Sequence, residues 1–405
     1  MTSQLNSSFQ ELVKAKRLPG VGAIIVDKSG KQVYNQAFGT NDTTDDSASA
    51  YTNDTQMFIW SCSKLITSLC LLQLIEQGKV GIDDPVSKYL PEEADLQVIT
   101  GLDHSGKPIT RAPKSEHTII QLFTHTSGHT YDFFDGDNLM HDYRVGKGLP
   151  PAAYNGLNAE WQFKDVFLNF DPGSRYHYGI SVDKIGHIVD KVSGMPLEEY
   201  AAKHIFEPLG MKSTSPQWQS KTHLVPHAKD SEGKLTPIDA LQPSPEPWKY
   251  GGGHFLLSTL NDFSQVLLAL LNGGKHPKTG NAILKTETVK NYVFKDYIPH
   301  VGAPPDGIGK CPASIMPGLS LAGDVGPMFP DAPRGWSCGL MMNLNDVPGG
   351  RKAGSGAWAG LGNLYYWIDP TAGVAGVIGT SVLPFLDQDT VDMFVKVEKA
   401  AYASS

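Results

Sequence analysis

Strand patterns lie at both ends of the chain, and helix patterns lie between them. Alternating and apolar runs near the N-terminus predict strands at 23–26 and 32–38. Similar runs near the C-terminus predict strands at 337–344, 354–358, 364–368 and 374–380. We therefore expect an α/β (α+β) fold in which the two chain ends form one antiparallel sheet flanked by helices, with a mainly helical part packed beside it.

Five segments have helical spacing. An amphipathic helix carrying Phe9, Leu12 and Val13 should open the chain, and a helix at 388–402 should close it. Residues 65–75 are apolar almost all round and precede Gly78, which predicts a buried helix with a glycine cap. Further helices are expected at 181–192 and from Thr259 to 271. The chain reads as one catalytic unit, 1–405, with a sheet subdomain at about 1–80 and 336–405 and a helical subdomain at about 81–335.

Two stretches, 132–157 and 295–335, are rich in Gly and Pro yet carry aromatic side chains. Long ordered loops of this kind often form the walls of a binding pocket. Decoration of the surface explains each stretch equally well when it is taken alone.

Charge and targeting signals restrict the possible partners. The formal net charge of -8 over 405 residues argues against non-specific binding to nucleic acid or to anionic membranes. No apolar run has membrane-spanning length, and the polar first residues lack the layout of a signal peptide. We expect a cytoplasmic protein whose four cysteines are reduced thiols.

A serine three residues before a lysine places a hydroxyl and an amine on one helix face. The spacing occurs three times, at Ser61/Lys64, Ser181/Lys184 and Ser231/Lys234. The third pair lies in a polar turn, and Lys184 is predicted on the polar side of its helix. Ser61 opens the buried helix, where desolvation should lower the proton affinity of Lys64 and allow it to act as a base. Taken alone, an N-cap serine beside a lysine explains this pair better than catalysis does.

Other segments favour catalysis because they match a known family in order and spacing. Residues 172–179 (PGSRYHYG) resemble the Tyr motif of the serine β-lactamase and penicillin-binding superfamily. Residues 124–128 (THTSG), 207–211 (EPLGM), 251–253 (GGG) and 367–370 (WIDP) are similar to framework segments of its class C-like branch, the family VIII esterase type. Residues 178–183 (YGISVD) and 363–367 (NLYYW) most resemble fungal statin-pathway acyltransferases and esterases. The resemblance implies a β-lactamase/transpeptidase-like fold.

The resemblance also implies roles for individual residues. Ser61 corresponds to the nucleophile, Lys64 to its partner, and Tyr178 to the residue that carries the proton to the leaving group. Ile180 stands where the usual Tyr-x-Asn motif has Asn. The third motif, usually Lys-Thr-Gly, becomes Trp358-Ala359-Gly360, so a cation that would pair with a substrate carboxylate is missing.

Two further site residues come from the same resemblance. The backbone N–H of Leu361, next along the strand from Gly360, should form an oxyanion hole with the N–H of Ser61. Tyr131 matches a tyrosine that the statin-type enzymes have in the site; without the resemblance it reads as a core aromatic.

The sequence gives no reason to expect a cofactor. His125 and His129 are four residues apart, but Gly128 lies between them and no carboxylate ligand pattern follows, so we expect no metal site. The glycines at 251–253 lack the lysine of a phosphate loop. Cys62 should be a packed thiol that points away from the site.

We therefore expect a serine acyltransferase or carboxylesterase (transesterase) that forms an acyl-Ser61 intermediate on an uncharged, polyketide-like ester. Its partners should be an ester or thioester acyl donor, with an acyl-carrier protein as one possible donor, and a polycyclic alcohol as one possible acceptor. Three alternatives stay open: a strict esterase that uses water only, a β-lactamase or peptidase, and a catalytically silent binding protein.

Overall fold

The computed structural model describes residues 2–134, 139–148, 166–220, 222–238, 251–311, 314, 318–321, 323–324 and 332–403. Large parts of the two predicted loop stretches, at 135–138, 149–157, 315–317 and 325–331, lie outside the described residues. The predicted pocket wall at 316–329 is described only in part for the same reason.

The central sheet is antiparallel and draws its strands from both chain ends, as predicted. Its strands are β1 (Gly20–Asp27), β2 (Gln32–Gly39), β3 (Arg334–Trp336), β4 (Met341–Asn343), β5 (Gly356–Gly360), β6 (Leu364–Asp369) and β7 (Val374–Gly379). Their order across the sheet is β3-β4-β5-β6-β7-β1-β2. The last strand of the C-terminal group thus pairs with the first strand of the chain, Gly22 opposite Gly379.

Both faces of this sheet are covered, which explains why its central strands are apolar without a polar side. Along β1, Ile24 and Val26 belong to one core cluster and Ala23 and Ile25 to the other. Successive side chains of a strand point to opposite faces, so each face receives alternate residues. One cluster packs against the helices of the middle of the chain, and the other against the two terminal helices.

The longer helices are α1 (Thr2–Lys14), α2 (Ser63–Glu76), α3 (Leu139–Gly146), α4 (Ser181–Ser193), α5 (Leu260–Leu271) and α6 (Gln388–Tyr402). All five predicted helices are present. Thr259 caps α5 by accepting a hydrogen bond from the backbone N–H of Asp262 at 3.0 Å. The left-handed Gly194 (φ 73°) ends α4. Among the described residues, no helix is long and apolar enough to cross a membrane.

Shorter elements connect these parts. The helical turns are Trp60–Cys62, Val86–Lys88, Pro91–Glu93, Ile119–Phe123, Leu197–Ala201, Ala202–Phe206, Glu207–Leu209, Thr286–Thr288, Val289–Val293 and Ile298–Val301. The short paired strands are Met57–Phe58 with Leu257–Ser258, Val98–Leu102 with Pro108–Arg111, Lys310–Cys311 with Gly323–Asp324, and His227–Lys229 with Leu235–Pro237 and Val382–Leu383.

One predicted strand is wrong. Residues 337–344 do not form a single strand, because a tight turn at 337–340 separates β3 from β4. The backbone N–H of Ser337 donates to the carbonyl of Leu340 at 2.9 Å, and Gly339 has a φ of 126°. Glycine adopts such a conformation without the steric cost that a side chain would bring. The subdomain boundaries stay a prediction.

Candidate active site

Ser61 lies in the single helical turn Trp60–Cys62 that leads directly into α2. The turn is strained, because Trp60 is held at a φ of 47°, a region that side chains other than glycine rarely occupy. Strain of this kind persists only where surrounding contacts enforce it, and it is common at active sites. Ser61 is partly exposed, whereas the helix that follows is buried from Ser63 to Leu74.

Lys64 lies one turn later and is buried, with 2% of its surface exposed. Its Nζ is 3.2 Å from Ser61 Oγ, 2.9 Å from the hydroxyl of Tyr131 and 3.0 Å from the carbonyl oxygen of Gly253. An ammonium group has three N–H donors, and these three oxygens accept all of them. The geometry therefore fits a protonated Lys64.

The pKa of Lys64 agrees with this geometry and corrects the expectation from sequence. Burial lowers the pKa of the ammonium group, as expected. The hydroxyls of Tyr131 and Tyr178 and the carboxylate of Asp183 raise that pKa by more, and the net shift is upward. The predicted fall in proton affinity is wrong because it counted desolvation and omitted the surrounding oxygens.

Tyr178 lies beside Lys64, with Nζ 4.8 Å from the centre of its ring. Its hydroxyl oxygen accepts a hydrogen bond from Nε1 of Trp358 at 3.2 Å, and the two rings are in contact at 4.9 Å between centroids. The indole N–H is a donor that carries no charge. The tryptophan at the position of the usual lysine thus donates to Tyr178, so this N–H is already engaged before any substrate binds.

Tyr131 belongs to an apolar cluster that borders the site. Its ring stacks on Phe133 at 4.7 Å and contacts Phe134 and Tyr178 at 5.9 and 5.7 Å. Parts of both predicted loop stretches meet here, since Cys311 and Leu319 pack against this cluster. Among the described residues, both loops therefore reach the site. The ring of Tyr131 is packed, as expected of a core aromatic, and its hydroxyl contacts Lys64. Its role as a site residue stays a prediction.

Gly360 brings β5 against the turn that carries Ser61. A Cβ atom on Gly360 would lie 2.5 Å from the carbonyl oxygen of Ile59 and 3.4 Å from Sγ of Cys62. Any side chain at this position would push the strand away from the nucleophile turn. Leu361 follows in the turn 361–363 rather than on the strand itself, which corrects the predicted position. Its role in an oxyanion hole stays a prediction.

Cys62 and the other two Ser-x-x-Lys pairs do not compete with this site. Cys62 is buried, and burial raises the pKa of its thiol, which fits a packed residue. Ser181 hydrogen-bonds Ser127 at 2.9 Å, and Ser231 lies in an exposed turn held by Asp230. The prediction that Lys184 lies on a solvated face is wrong. It is buried, and its Nζ is 2.6 Å from the carboxylate of Glu93.

Glu93 is also the centre of a cluster with the residue types of a metal site. Its second carboxylate oxygen lies 3.0 Å from Nε2 of His117 and 3.1 Å from Nε2 of His129. Burial lowers the pKa of His129 to about 4, so the ring is neutral. Lys184 already balances the charge of Glu93, and a divalent cation here would add buried positive charge beside an ammonium group. We interpret the cluster as a buried ion pair with two histidine donors. The sequence did not predict it, because its members come from four separate segments.

Sequence reasoning also missed Asp183 and the carbonyl of Gly253. Both stand in segments that carried the family resemblance, 178–183 and 251–253. One signal could have identified Asp183. It is an acidic residue directly after Val182 and two before Ile185, on the face that α4 buries. Such a carboxylate needs a partner in the protein interior.

Comparisons with known proteins agree with this geometry. A profile of the Beta-lactamase family matches residues 5–396. The ML-236A carboxylate methylbutanoyltransferase mlcH of Penicillium citrinum is 27% identical over 100% of this chain and 94% of its own. The lovastatin esterase of Penicillium rubens is 28% identical over 92% of this chain and 91% of its own.

Solved structures give the same result. The LovD6 mutant of simvastatin synthase from Aspergillus terreus superposes with a TM-score of 0.82 at 26% identity, covering 99% of this chain and 96% of that one. The resemblance inferred from the motifs is therefore confirmed, as are the β-lactamase/transpeptidase-like fold and the assignment as an enzyme. With a matching profile along nearly its whole length and relatives that are named acyltransferases and esterases, this chain belongs to the β-lactamase family.

Proposed function

We propose that the protein transfers acyl groups from uncharged carboxylic esters or thioesters through an acyl-Ser61 intermediate. The observation that carries the proposal is the hydrogen bond between Lys64 and the partly exposed Ser61, beside the Tyr178–Trp358 pair. A serine hydroxyl is a weak nucleophile, and a nearby base and cation are the means by which proteins activate it.

The protonated state of Lys64 decides which residue acts as the base. As an ammonium group, Lys64 cannot accept the proton of Ser61. We assign that step to Tyr178 in its phenolate form, stabilised by the charge of Lys64 and by the indole N–H of Trp358. Ser61 Oγ then forms a bond to the acyl carbon, and the leaving alcohol or thiol departs with the proton from Tyr178. An acceptor alcohol or water then gives its proton to Tyr178 as its oxygen attacks the acyl carbon. The bond between that carbon and Ser61 Oγ breaks, and Tyr178 passes the proton to Ser61 Oγ, which restores the free enzyme.

The site also restricts the charge of the substrates that it can bind. Lys64 supplies an ammonium group to the site, but its three N–H donors are already bound to Ser61, Tyr131 and Gly253. Trp358 offers no charge to a substrate carboxylate, and Tyr131, Phe133 and Phe134 provide an aromatic wall. This environment favours uncharged, apolar acyl esters over penicillins or peptides, which carry a carboxylate.

The acceptor distinguishes an acyltransferase from an esterase, and the relatives include both kinds. We propose transfer to a bulky, polycyclic alcohol, because two loops reach the site and could hold such an acceptor close to the acyl group. A bound alcohol has an effective concentration that lets it compete with water. An acyl-carrier protein as donor and a cytoplasmic location remain predictions.

The test is product analysis by mass spectrometry. The enzyme is mixed with a short p-nitrophenyl ester or an acyl thioester, with and without a panel of polycyclic alcohols. We expect an acyl adduct on the tryptic peptide that contains Ser61, and new esters when an alcohol is present. The Ser61→Ala variant is the control for both. Free acid alone at every alcohol concentration would make the protein a strict esterase, and turnover of a chromogenic β-lactam at a similar rate would contradict the proposal.

A further inference from the structure

Asp183 is a buried acid next to the proposed catalytic residues that the reaction above does not use. It lies on α4, five residues after Tyr178, and is fully buried. Its Oδ1 accepts a hydrogen bond from the backbone N–H of Gly253 at 2.9 Å, and Nδ1 of His254 is 3.6 Å from the same oxygen. Within the described part of the chain, Oδ2 accepts no hydrogen bond. A carboxylate in such a position needs a nearby positive charge.

The ammonium group of Lys64 lies on the other side of Gly253. A Cβ atom on Gly253 would lie 2.9 Å from Oδ2 of Asp183 and 2.9 Å from Nζ of Lys64. The two charged groups therefore face each other across the hydrogen of a glycine, with no side chain between them. The same glycine links them through its backbone, because its N–H donates to Asp183 and its carbonyl accepts from Lys64.

We infer that Asp183 is a positioning residue that keeps Lys64 charged and holds it, through Gly253, beside Ser61. This inference rests on the proposed function, because it gives Asp183 a task in the same acyl transfer. Within the described part of the chain, no hydrogen bond joins Asp183 to Ser61. Asp183 acts on the reaction by fixing the charge and the place of the ammonium group that stabilises the base.

Other titratable groups near this pair do not supply the same charge. Those facing Lys64 or Asp183 from the surrounding elements are Cys62, His125, Tyr131, Tyr178, His187 and His254. Burial lowers the pKa of His125 well below its usual value and that of His187 to about 4, so both rings are neutral near pH 7. Burial also raises the pKa of the Cys62 thiol and of the Tyr131 hydroxyl, which keeps both protonated. Asp183 is therefore the carboxylate that faces Lys64 among the described residues.

The test measures the protonation of Lys64 directly. Lysine is labelled with ¹³C at Cε, and the Lys64 signal is assigned by its loss in a Lys64→Arg spectrum. In Asp183→Asn the amide oxygen still accepts from Gly253, but the charge is removed. A unit charge at this separation, with an effective dielectric constant of about 20, shifts a neighbouring pKa by roughly two units. We expect the titration of Lys64 to move down by that amount, and the alkaline limb of kcat/KM to move with it.

Two further variants and a control keep the test decisive. Gly253→Ala inserts a methyl group between the two charges and should lower the pH at which Lys64 titrates, without removing either charge. Asp183→Glu keeps the charge and should restore most of the wild-type titration. The control is Asp369→Asn, another fully buried aspartate, which accepts hydrogen bonds from Lys352, Ala372 and Tyr402 at the end of β6.

The outcomes separate this inference from the proposed function. If Lys64 titrates at the same pH in Asp183→Asn, Gly253→Ala and the wild type, Asp183 has no such role, whether or not the wild type is an acyltransferase. If the titration moves as expected but the wild type forms no adduct on Ser61, the inference about Lys64 stands and the proposed reaction is wrong.

Discussion

Replacing Trp358 by phenylalanine tests the hydrogen bond that takes the place of the family's usual lysine. The indole Nε1 donates to the Tyr178 hydroxyl at 3.2 Å, and a phenyl ring keeps most of the contact with Tyr178 and Trp336. If Tyr178 carries negative charge while it acts as the base, the lost bond is charge-assisted and worth about 1.5–3 kcal/mol. That corresponds to a loss of roughly 10- to 150-fold in kcat/KM.

The assay is hydrolysis of a p-nitrophenyl ester, with the pre-steady-state burst measured to isolate acylation. We expect the burst rate of Trp358→Phe to fall with little change in substrate binding, because the indole N–H stabilises the phenolate that acts as the base and not the bound substrate. Trp336→Phe is the matched control. Trp336 packs edge-on against Trp358 at 4.6 Å, but its buried Nε1 has no hydrogen-bond partner in the described part of the chain. Equal losses in both variants, or a loss below about threefold in Trp358→Phe, would show that the tryptophan serves only to pack.

Two other changes test the active site, and a third tests the buried cluster around Glu93. Ser61→Ala should abolish turnover and covalent labelling by a serine-reactive phosphonate while costing at most about 1.5–3 kcal/mol of stability, because it removes one hydrogen bond to the Lys64 ammonium group; labelling of Ser181 in the wild type would contradict this. Tyr131→Phe removes an acceptor from the buried Lys64 ammonium group and should lower kcat roughly 10- to 150-fold, since a hydrogen bond to a charged group is worth about 1.5–3 kcal/mol; unchanged kcat would reduce Tyr131 to packing. Burial lowers the pKa of His129 to about 4 in the folded chain. As the pH drops from about 6.5 towards 4, the unfolded chain takes up a proton at His129 that the folded chain does not bind, so stability falls. Between pH 7.5 and 5, the free energy of unfolding measured in urea should fall by about 2 kcal/mol less in His129→Gln than in the wild type. Equal falls in the two proteins would mean that His129 does not titrate in this way.

The sequence by itself determined the central sheet and the five helices, and it predicted Ser61 as the nucleophile. Each of these depends on information that is local or ordered along the chain. The apolar run of β1, the apolar length of α2 and the capping Thr259 all act within a few residues. The placement of Ser61, Lys64 and Tyr178 came from motifs in a fixed order, which also identified Trp358 at the position of a lysine. Local patterns failed at residues 337–340, where a tight turn that includes Gly339 takes the place of the first half of the predicted strand.

Only the tertiary structure decided the charge of Lys64. Sequence reasoning considered its burial and expected a lower pKa, but the net shift depends on oxygens from two distant segments, one carrying Tyr131 and the other Tyr178 and Asp183. The same holds for the pairing of Lys184 with Glu93 and for the close approach of Gly360 to the Ser61 turn. Electrostatic energy depends on distances in space and on desolvation, and neither quantity can be read from spacing along the chain.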